Sequence, residues 1–204
     1  MNTPTTDLKH ISMSLSRIQK PHKFSIRYEQ YVTSSDIAAR MVYQAFLDGN
    51  IQGKKVADLG CGNGVLSVAS ALLGANSVNA YDIDPEMVSV ATDNARAYPI
   101  NVYHLDINKI TESFDTVVMN PPWGASNTHA DMPFIKKAVE IADHIYSIHN
   151  RTTEEFLDKV FNDIGIVKRK ILVSIDVPRI YSHHTRKSMG ITGIIYCVDV
   201  LKRR

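Results

Sequence analysis

Asn120, Pro121, Pro122 and the chain's single tryptophan, Trp123, stand in a row directly after the apolar run Val117–Met119. Neither proline has an N–H to give to a sheet, so a strand cannot continue through them. What the four residues can do is hold an amino group. The Asn120 side chain offers a carbonyl oxygen, and Pro121 keeps its backbone C=O although it lacks the N–H. Two such acceptors can take the two hydrogens of an –NH2 whose lone pair is delocalised into a ring, pulling it toward a reactive geometry. Consecutive prolines stiffen the backbone that aims the oxygens, and Trp123 supplies a flat face for the ring. If the group to be attacked is already electrophilic, alignment is the main remaining task. Neither a metal nor a strong general base is then required.

A second constellation reads Asp-Leu-Gly-Cys-Gly-Asn-Gly at residues 58–64. Gly60, Gly62 and Gly64 allow a tight turn and a close backbone approach to a ligand, and the helix that follows begins with N–H groups lacking intrahelical partners. Val65 stands where the dinucleotide fingerprint G-x-G-x-x-G wants glycine, which disfavours a nicotinamide dehydrogenase. Asp58, ahead of the glycines, is unfavourable beside a pyrophosphate and suits a cationic amino-acid group. Asp82 ends the next apolar run, where a carboxylate can accept both hydroxyls of a ribose. Asp106 ends the third and could receive an adenine amino group. Each alone could be a loop acid or a helix cap. Their placement on three successive strand ends points to a nucleoside with a charged amino-acid arm.

The elements that must position these residues alternate along the chain. Apolar runs at 54–60, 77–84, 100–107, 114–120, 144–149, 166–177 and 193–202 read as strands. Helical spacing fills 34–49, 63–75, 84–98, 131–143 and 152–165. Ser34, Ser35 and Asp36 are cap candidates for the first of these, Pro85 falls in the first turn of the third, and Thr152 with Glu155 has capping-box spacing for the last. Strand–helix alternation implies an α/β fold with a mostly parallel sheet covered on both faces. The last two strands have no helix between them and are expected to pair antiparallel. Such sheets bind ligands beyond the carboxyl ends of their strands, where the strand order reverses. Residues 1–27 read as a basic, weakly patterned extension, expected to be mobile in part, and residues 28–204 as a single domain.

The segments "VADLGCGNG", "AYDID", "HLD" and "NPPW" together resemble a class I S-adenosylmethionine-dependent methyltransferase. The resemblance runs from about Glu29 to the C-terminus and implies a Rossmann-like seven-stranded sheet whose last strand is antiparallel. It implies that Asp58, Gly60, Cys61, Gly62 and Asn63 line the methionine part of the donor. It places Asp82 with Ile83 at the ribose, Asp106 with Ile107 beside the adenine, and Asn120 against both donor and acceptor. The N-P-P-aromatic motif is similar to that of enzymes methylating adenine N6, guanine N2, cytosine N4 or a glutamine amide, which implies Asn120, Pro121, Pro122 and Trp123 as the catalytic segment. Tyr or Phe is commoner than Trp at its last position.

A narrower resemblance rests on "EQYVTSSDIAARMVY", "VADLGCGNGVLSVASALLGA" and "MNPPWGASNTHADMPFIKKAVEIA". These look like the methyltransferase-like 5 family, which methylates adenine N6 in small-subunit ribosomal RNA. It implies that Gln30 and Thr33 also contact the donor. It further implies a small zinc-ribbon activator protein bound along the third strand, which in this family's strand order is a sheet edge able to accept another chain's strand.

Composition fits this reading. At 44% hydrophobic and 22% charged residues the chain is of ordinary globular type. No apolar run approaches the ~18–20 residues that span a bilayer, and no signal-peptide core is seen, so a cytoplasmic protein with no membrane partner is expected. Cys61 and Cys197 lack metal-ligand spacing, and reduced thiols are expected. The net charge of +2 conceals basic ends: residues 1–27 carry +4, residues 28–164 carry −9 and residues 165–204 carry +7. An RNA partner suits that distribution. Arg179, Tyr181, His183, Arg186 and Lys187 mix cations with aromatics in one loop, as phosphates and unstacked bases require. The adjacent His183 and His184 have no further ligand nearby, so no metal is expected. The Val167–Lys170 segment and the Leu201–Arg204 tail are further phosphate candidates. Another acceptor (guanine N2, DNA adenine N6 or protein glutamine) and a non-catalytic RNA-binding module remain the alternatives, the latter disfavoured by the intact Asn120 and glycine turn.

Overall fold

Strand β1 (Lys55–Leu59) lies between β2 (Ser77–Asp82) and β4 (Phe114–Met119), parallel to both. From β1 the chain builds outward through β2 to β3 (Ile100–His104), then returns and builds the other way through β4 to β5 (Ala142–Asn150). A long hairpin of β6 (Gly165–Pro178) and β7 (Ser188–Val200) completes a seven-stranded sheet of order β3-β2-β1-β4-β5-β7-β6, with β7 antiparallel to both neighbours. The order therefore reverses between β1 and β4. The computed structural model describes residues 7–21, 32–123, 129–178 and 188–201.

Side chains on a strand alternate between the two faces of the sheet, and here both faces are apolar. Val56, Val78, Val118, Tyr146, Ile148, Ile195 and Cys197 face one core. That core is closed by α1 (Leu8–Leu15), α2 (Ser35–Leu47) and α3 (Val65–Leu72). Ala57, Leu59, Val117, Met119, Ile145, Ile194, Tyr196 and Val198 face the other, closed by α5 (Met132–Ile141) and α6 (Glu154–Ile164). Helix α4 (Pro85–Ala95) packs Ala91 on Ala80 and Cys61 beside the first core. Continuous apolar runs such as Val117–Met119 are the signature of strands buried on both sides.

Three local features differ from the sequence reading. Residues 8–15 form α1, capped by the Asp7 carboxylate accepting from Lys9 N–H, and its Ile11 and Leu15 are buried in the first core. Part of the basic extension is thus docked on the fold. Helix α6 does not use the Thr152–Glu155 box: the Asn150 side chain accepts from Thr152 N–H first, a 3-10 turn over Arg151–Thr153 follows, and α6 starts at Glu154. The third strand stops at His104 because Asp106 caps a 3-10 turn, Ile107–Lys109. The Ser34 cap of α2 forms as expected, accepting from Ile37 N–H at 3.3 Å. Gln30 and the loop carrying Arg179, Tyr181, His183, Arg186 and Lys187 lie outside the described residues.

Candidate active site

The strand register aligns the site. Tyr103 pairs with Tyr81, Tyr81 with Leu59, Leu59 with Met119, and Met119 with Ser147, a straight line across the sheet. One residue further along each strand stand His104, Asp82, Gly60, Asn120 and Ile148. The carboxyl ends of the parallel strands thus present the proposed donor acid, the glycine turn and the proposed amine acceptor side by side, astride the point where strand order reverses.

On the donor side, Asp58 is fully buried. Its Oδ2 accepts from the Ser67 hydroxyl of α3 at 2.6 Å, while Oδ1 has no hydrogen-bond partner among the described residues. Burial, outweighing the Ser67 bond, pushes this carboxyl up to about 7, and the nearby Asp82 adds to the rise. A buried carboxylate with one unmet oxygen fits a cation brought against the glycine turn. Asp82 is held by two backbone N–H groups, Gly62 to Oδ2 at 2.8 Å and Asp84 to Oδ1 at 2.9 Å. Each oxygen keeps a second lone pair for a hydroxyl. Burial raises its pKa as well, against those two bonds. Gly60 and Gly62 both have left-handed φ, +69° and +54°. A Cβ at Gly62 would project into open space, whereas one at Gly60 would lie 3.0 Å from the Phe134 ring.

Some expected donor residues contribute differently. The N–H groups of Gly60 and Cys61 both donate to the Tyr81 carbonyl, at 2.9 and 3.0 Å. The turn therefore spends these donors on β2 instead of offering an anion cradle, in keeping with a cationic ligand group. The Cys61 side chain packs with Ala80 and Ala91, and burial pushes its thiol well above the usual range. Only its backbone can border a ligand. Ile107 is buried in the second core, while Ile83 is 47% exposed at the end of β2 and offers the larger apolar surface. Asp106 Oδ1 is committed to the Asn108 backbone and side chain, so an adenine amino group would fall to Oδ2.

On the acceptor side, Asn120 Nδ2 donates to the Thr33 hydroxyl at 2.8 Å. That contact turns the carbonyl end of the amide the other way. Trp123 is half-buried, its ring against the first core and its indole N–H donating to the Ile148 carbonyl at 3.2 Å. Pro121 is buried and Pro122 half-buried.

Asn94 and Gln19 are site neighbours that the sequence does not announce. The Asn94 side chain accepts from Gln19 N–H and donates to the carbonyls of Gln19 and Asn63, while Asn63 Nδ2 donates to Gln19 O. This clasp ties the segment after α1 to the glycine turn. Asn63 belongs to the glycine turn, but Asn94 and Gln19 fall in polar stretches with no motif. Phe134, in the first turn of α5, is likewise visible only once α5 is seen to begin beside Gly60. Of the basic segment at 168–170, Lys170 is neutralised internally by Glu154 at 2.7 Å and Asp158 at 3.0 Å, which raises its pKa. Lys168 stands 3.8 Å from Asp199. Among the described residues no helix is long and apolar enough to cross a membrane.

The strand order, the glycine turn and the acids on successive strand ends define an S-adenosylmethionine-dependent methyltransferase. A family model described as ribosomal protein L11 methyltransferase (PrmA) matches residues 38–121. The rRNA N(6)-adenosine-methyltransferase METTL5 of Danio rerio is 36% identical, the match covering 90% of this chain and 94% of that protein. Its Drosophila melanogaster counterpart is 35% identical over 81% of this chain and 84% of that protein. The crystal structure of PH1948 from Pyrococcus horikoshii superposes with a TM-score of 0.90 at 33% identity, covering 98% of this chain and 100% of that one. The chain belongs to the METTL5 family of rRNA N6-adenosine methyltransferases.

Proposed function

We propose that the protein transfers the methyl group of S-adenosylmethionine to N6 of an adenine in ribosomal RNA, in the small subunit. The observation that carries this is the alignment of Asp82, Gly60 and Asn120 on one row of strand ends, joined to membership of the METTL5 family. When bound, the donor supplies a sulfonium methyl, electrophilic without further activation. Asp58 holds the ammonium of its methionine arm with the backbone of Gly60, Cys61 and Gly62 and with Asn63 around it. Asp82 with Ile83 takes the ribose, and Asp106 borders the adenine with Ile107 packed behind it in the core. Gln30 and Thr33 complete the donor site.

The acceptor adenine must leave any stack to reach the site. Asn120 Oδ1 and Pro121 O accept the two N6 hydrogens, Pro122 stiffens the segment, and Trp123 supports the ring. Orientation by two fixed acceptors is electrostatic preorganisation, of the kind worth ~2.7–4 kcal/mol per donor or acceptor. We read residues 28–204 as one cytoplasmic catalytic domain with residues 1–27 as its basic extension. Arg179, Tyr181, His183, Arg186 and Lys187 hold the RNA around the base. The exposed β3 edge, with Tyr103 39% exposed and stacked on Tyr81, takes the strand of a small zinc-ribbon activator. Incubating the protein with methyl-labelled donor and separated ribosomal RNAs tests the assignment. Label in small-subunit RNA supports it; label confined to large-subunit RNA or to protein contradicts it.

A further inference from the structure

Three consecutive residues of β5, Ser147, Ile148 and His149, reach both sides of the acceptor loop. Ahead of residues 124–128, Trp123 donates its indole N–H to the Ile148 carbonyl. Behind them, Asp131 at the start of α5 meets His149 through Oδ2 and Nδ1 at 3.0 Å. The other ring nitrogen, Nε2, meets the Ser147 hydroxyl at 2.6 Å. All three polar side chains are buried: Ser147 and His149 are 0% exposed and Asp131 is 5% exposed. The imidazole is held edge-on between Phe161 and Tyr196, with centroids 5.7 and 5.9 Å away. The approach to Asp131 is tight, since His129 adopts φ +64° and lays its ring 4.2 Å from that of Phe156.

A Ser–His–Asp chain invites a hydrolytic reading, but a nucleophile must meet its substrate, and a fully buried Ser147 cannot. Burying a carboxylate and an imidazole in an apolar core is costly unless the two satisfy each other. What this pair does is fix where the chain re-enters α5, on the same short stretch of strand that fixes Trp123. We propose that His149 and Asp131 are positioning residues for the acceptor pocket: they fix the start of α5 against the same stretch of β5 that anchors Trp123, and so hold Trp123 and Pro121 at the distance from the donor that transfer needs. This rests on the reading of Asn120–Trp123 as the acceptor segment. A misplacement of about 1 Å in such a site costs on the order of 100-fold in rate.

Two substitutions separate the tether from mere packing. In His149→Asn the amide nitrogen overlays Nδ1 and keeps the Asp131 contact. In His149→Gln the amide reaches the place of Nε2, keeping Ser147 and losing Asp131. Both vacate ring volume against Phe161 and Tyr196, so both lower the melting temperature. Trp123 is the only tryptophan, so its fluorescence reports the loop directly, without any assay of activity. The expected result is a red-shifted, more acrylamide-accessible Trp123 in His149→Gln and a near-native signal in His149→Asn. Donor affinity should be equal in the two, with at least about 10-fold more transfer in Asn than in Gln. Should neither variant fold, Asp131→Asn, which keeps an acceptor oxygen, is set against Asp131→Ala, with the same ordering expected. Equal tryptophan signals within the folded pair, or equal transfer despite different signals, would overturn the proposal. Should the RNA reading itself fail, the fluorescence comparison still decides whether the tether exists.

Discussion

The amide of Asn120 donates to the hydroxyl of Thr33 across 87 residues of sequence. One is the residue at which β4 gives way to prolines, the other the last residue but one before α2. The contact ties the proposed methyl acceptor site to the segment proposed to cover the donor, and it sets which end of the Asn120 amide is available as a carbonyl. Thr33 is only 8% exposed, so the bond is sheltered from water and has one geometry.

Removing that amide tests its role. Asn120→Ala is expected to retain the fold and most of the donor affinity, because its side chain is half-buried and borders the core without filling it. Transfer should fall by about 100-fold or more, the cost of losing one preorganised acceptor. Single-turnover rates beside a donor titration check this; a variant with full rate would remove Asn120 from the chemistry.

Asp58 makes donor binding pH-dependent. Its folded pKa is about 7 against an ordinary 3.8, so the free fold favours the protonated acid. A cationic donor arm needs the carboxylate, so affinity should rise with pH by up to about 10-fold per unit below pH 7 and level off above it. The stability of the free protein moves the opposite way. Between pH 3.8 and 7 the folded state binds more protons than the unfolded chain, and the stabilising contribution is lost as pH rises through about 7. Asp82, raised in the same direction, adds to both trends. Calorimetric titrations of wild type and Asp58→Asn between pH 5.5 and 8 check this, with most of the slope expected to vanish in the variant.

Gly62 and Gly60 should respond differently to a methyl group. Both occupy left-handed backbone, where an L-residue costs roughly 1–2 kcal/mol. At Gly62 the added methyl enters open space beside Asp82, so Gly62→Ala should cost about that much stability and further weaken donor binding. At Gly60 the Phe134 ring, at 3.0 Å, must also move, so Gly60→Ala should be the less stable of the two. Denaturant midpoints of the two variants measure the difference.

The basic residues should divide into two groups. Replacing Arg186 and Lys187 by Gln should lower the slope of log affinity against log salt by roughly 1.4, about 0.7 per phosphate contact on single-stranded RNA. Lys170→Gln should leave it unchanged, because Lys170 is already satisfied by Glu154 and Asp158. RNA titrations at several salt concentrations decide; a Lys170→Gln slope equal to that of the double variant would contradict the division.

Much of the fold was legible because it is local. The glycine turn, the Ser34 cap and the apolar run ending at Asn120 each occupy a few consecutive residues, and strand–helix alternation carries the topology with it. The placement of Asp58, Asp82 and Asn120 on strand ends followed from the same runs. What was hidden is what depends on pairs far apart in the chain. Asn94 clasps Gln19 and Asn63, and Asp131 meets His149, only because the sheet brings them together. Lys170 looked like a phosphate ligand until α6 laid Glu154 and Asp158 beside it. The Thr152–Glu155 spacing was correct for a capping box, yet Asn150, held at the end of β5, reached the Thr152 N–H first. Burial turned Cys61 and Ile107 inward, and spacing alone could not show that.

The central claim is that this site methylates an adenine amino group in RNA. Incubation with methyl-labelled S-adenosylmethionine and total RNA, followed by digestion and mass spectrometry of the nucleosides, tests it most directly. The expected product is labelled N6-methyladenosine, which disappears with Asn120→Ala. Labelled N2-methylguanosine, or label found only in protein, would contradict it.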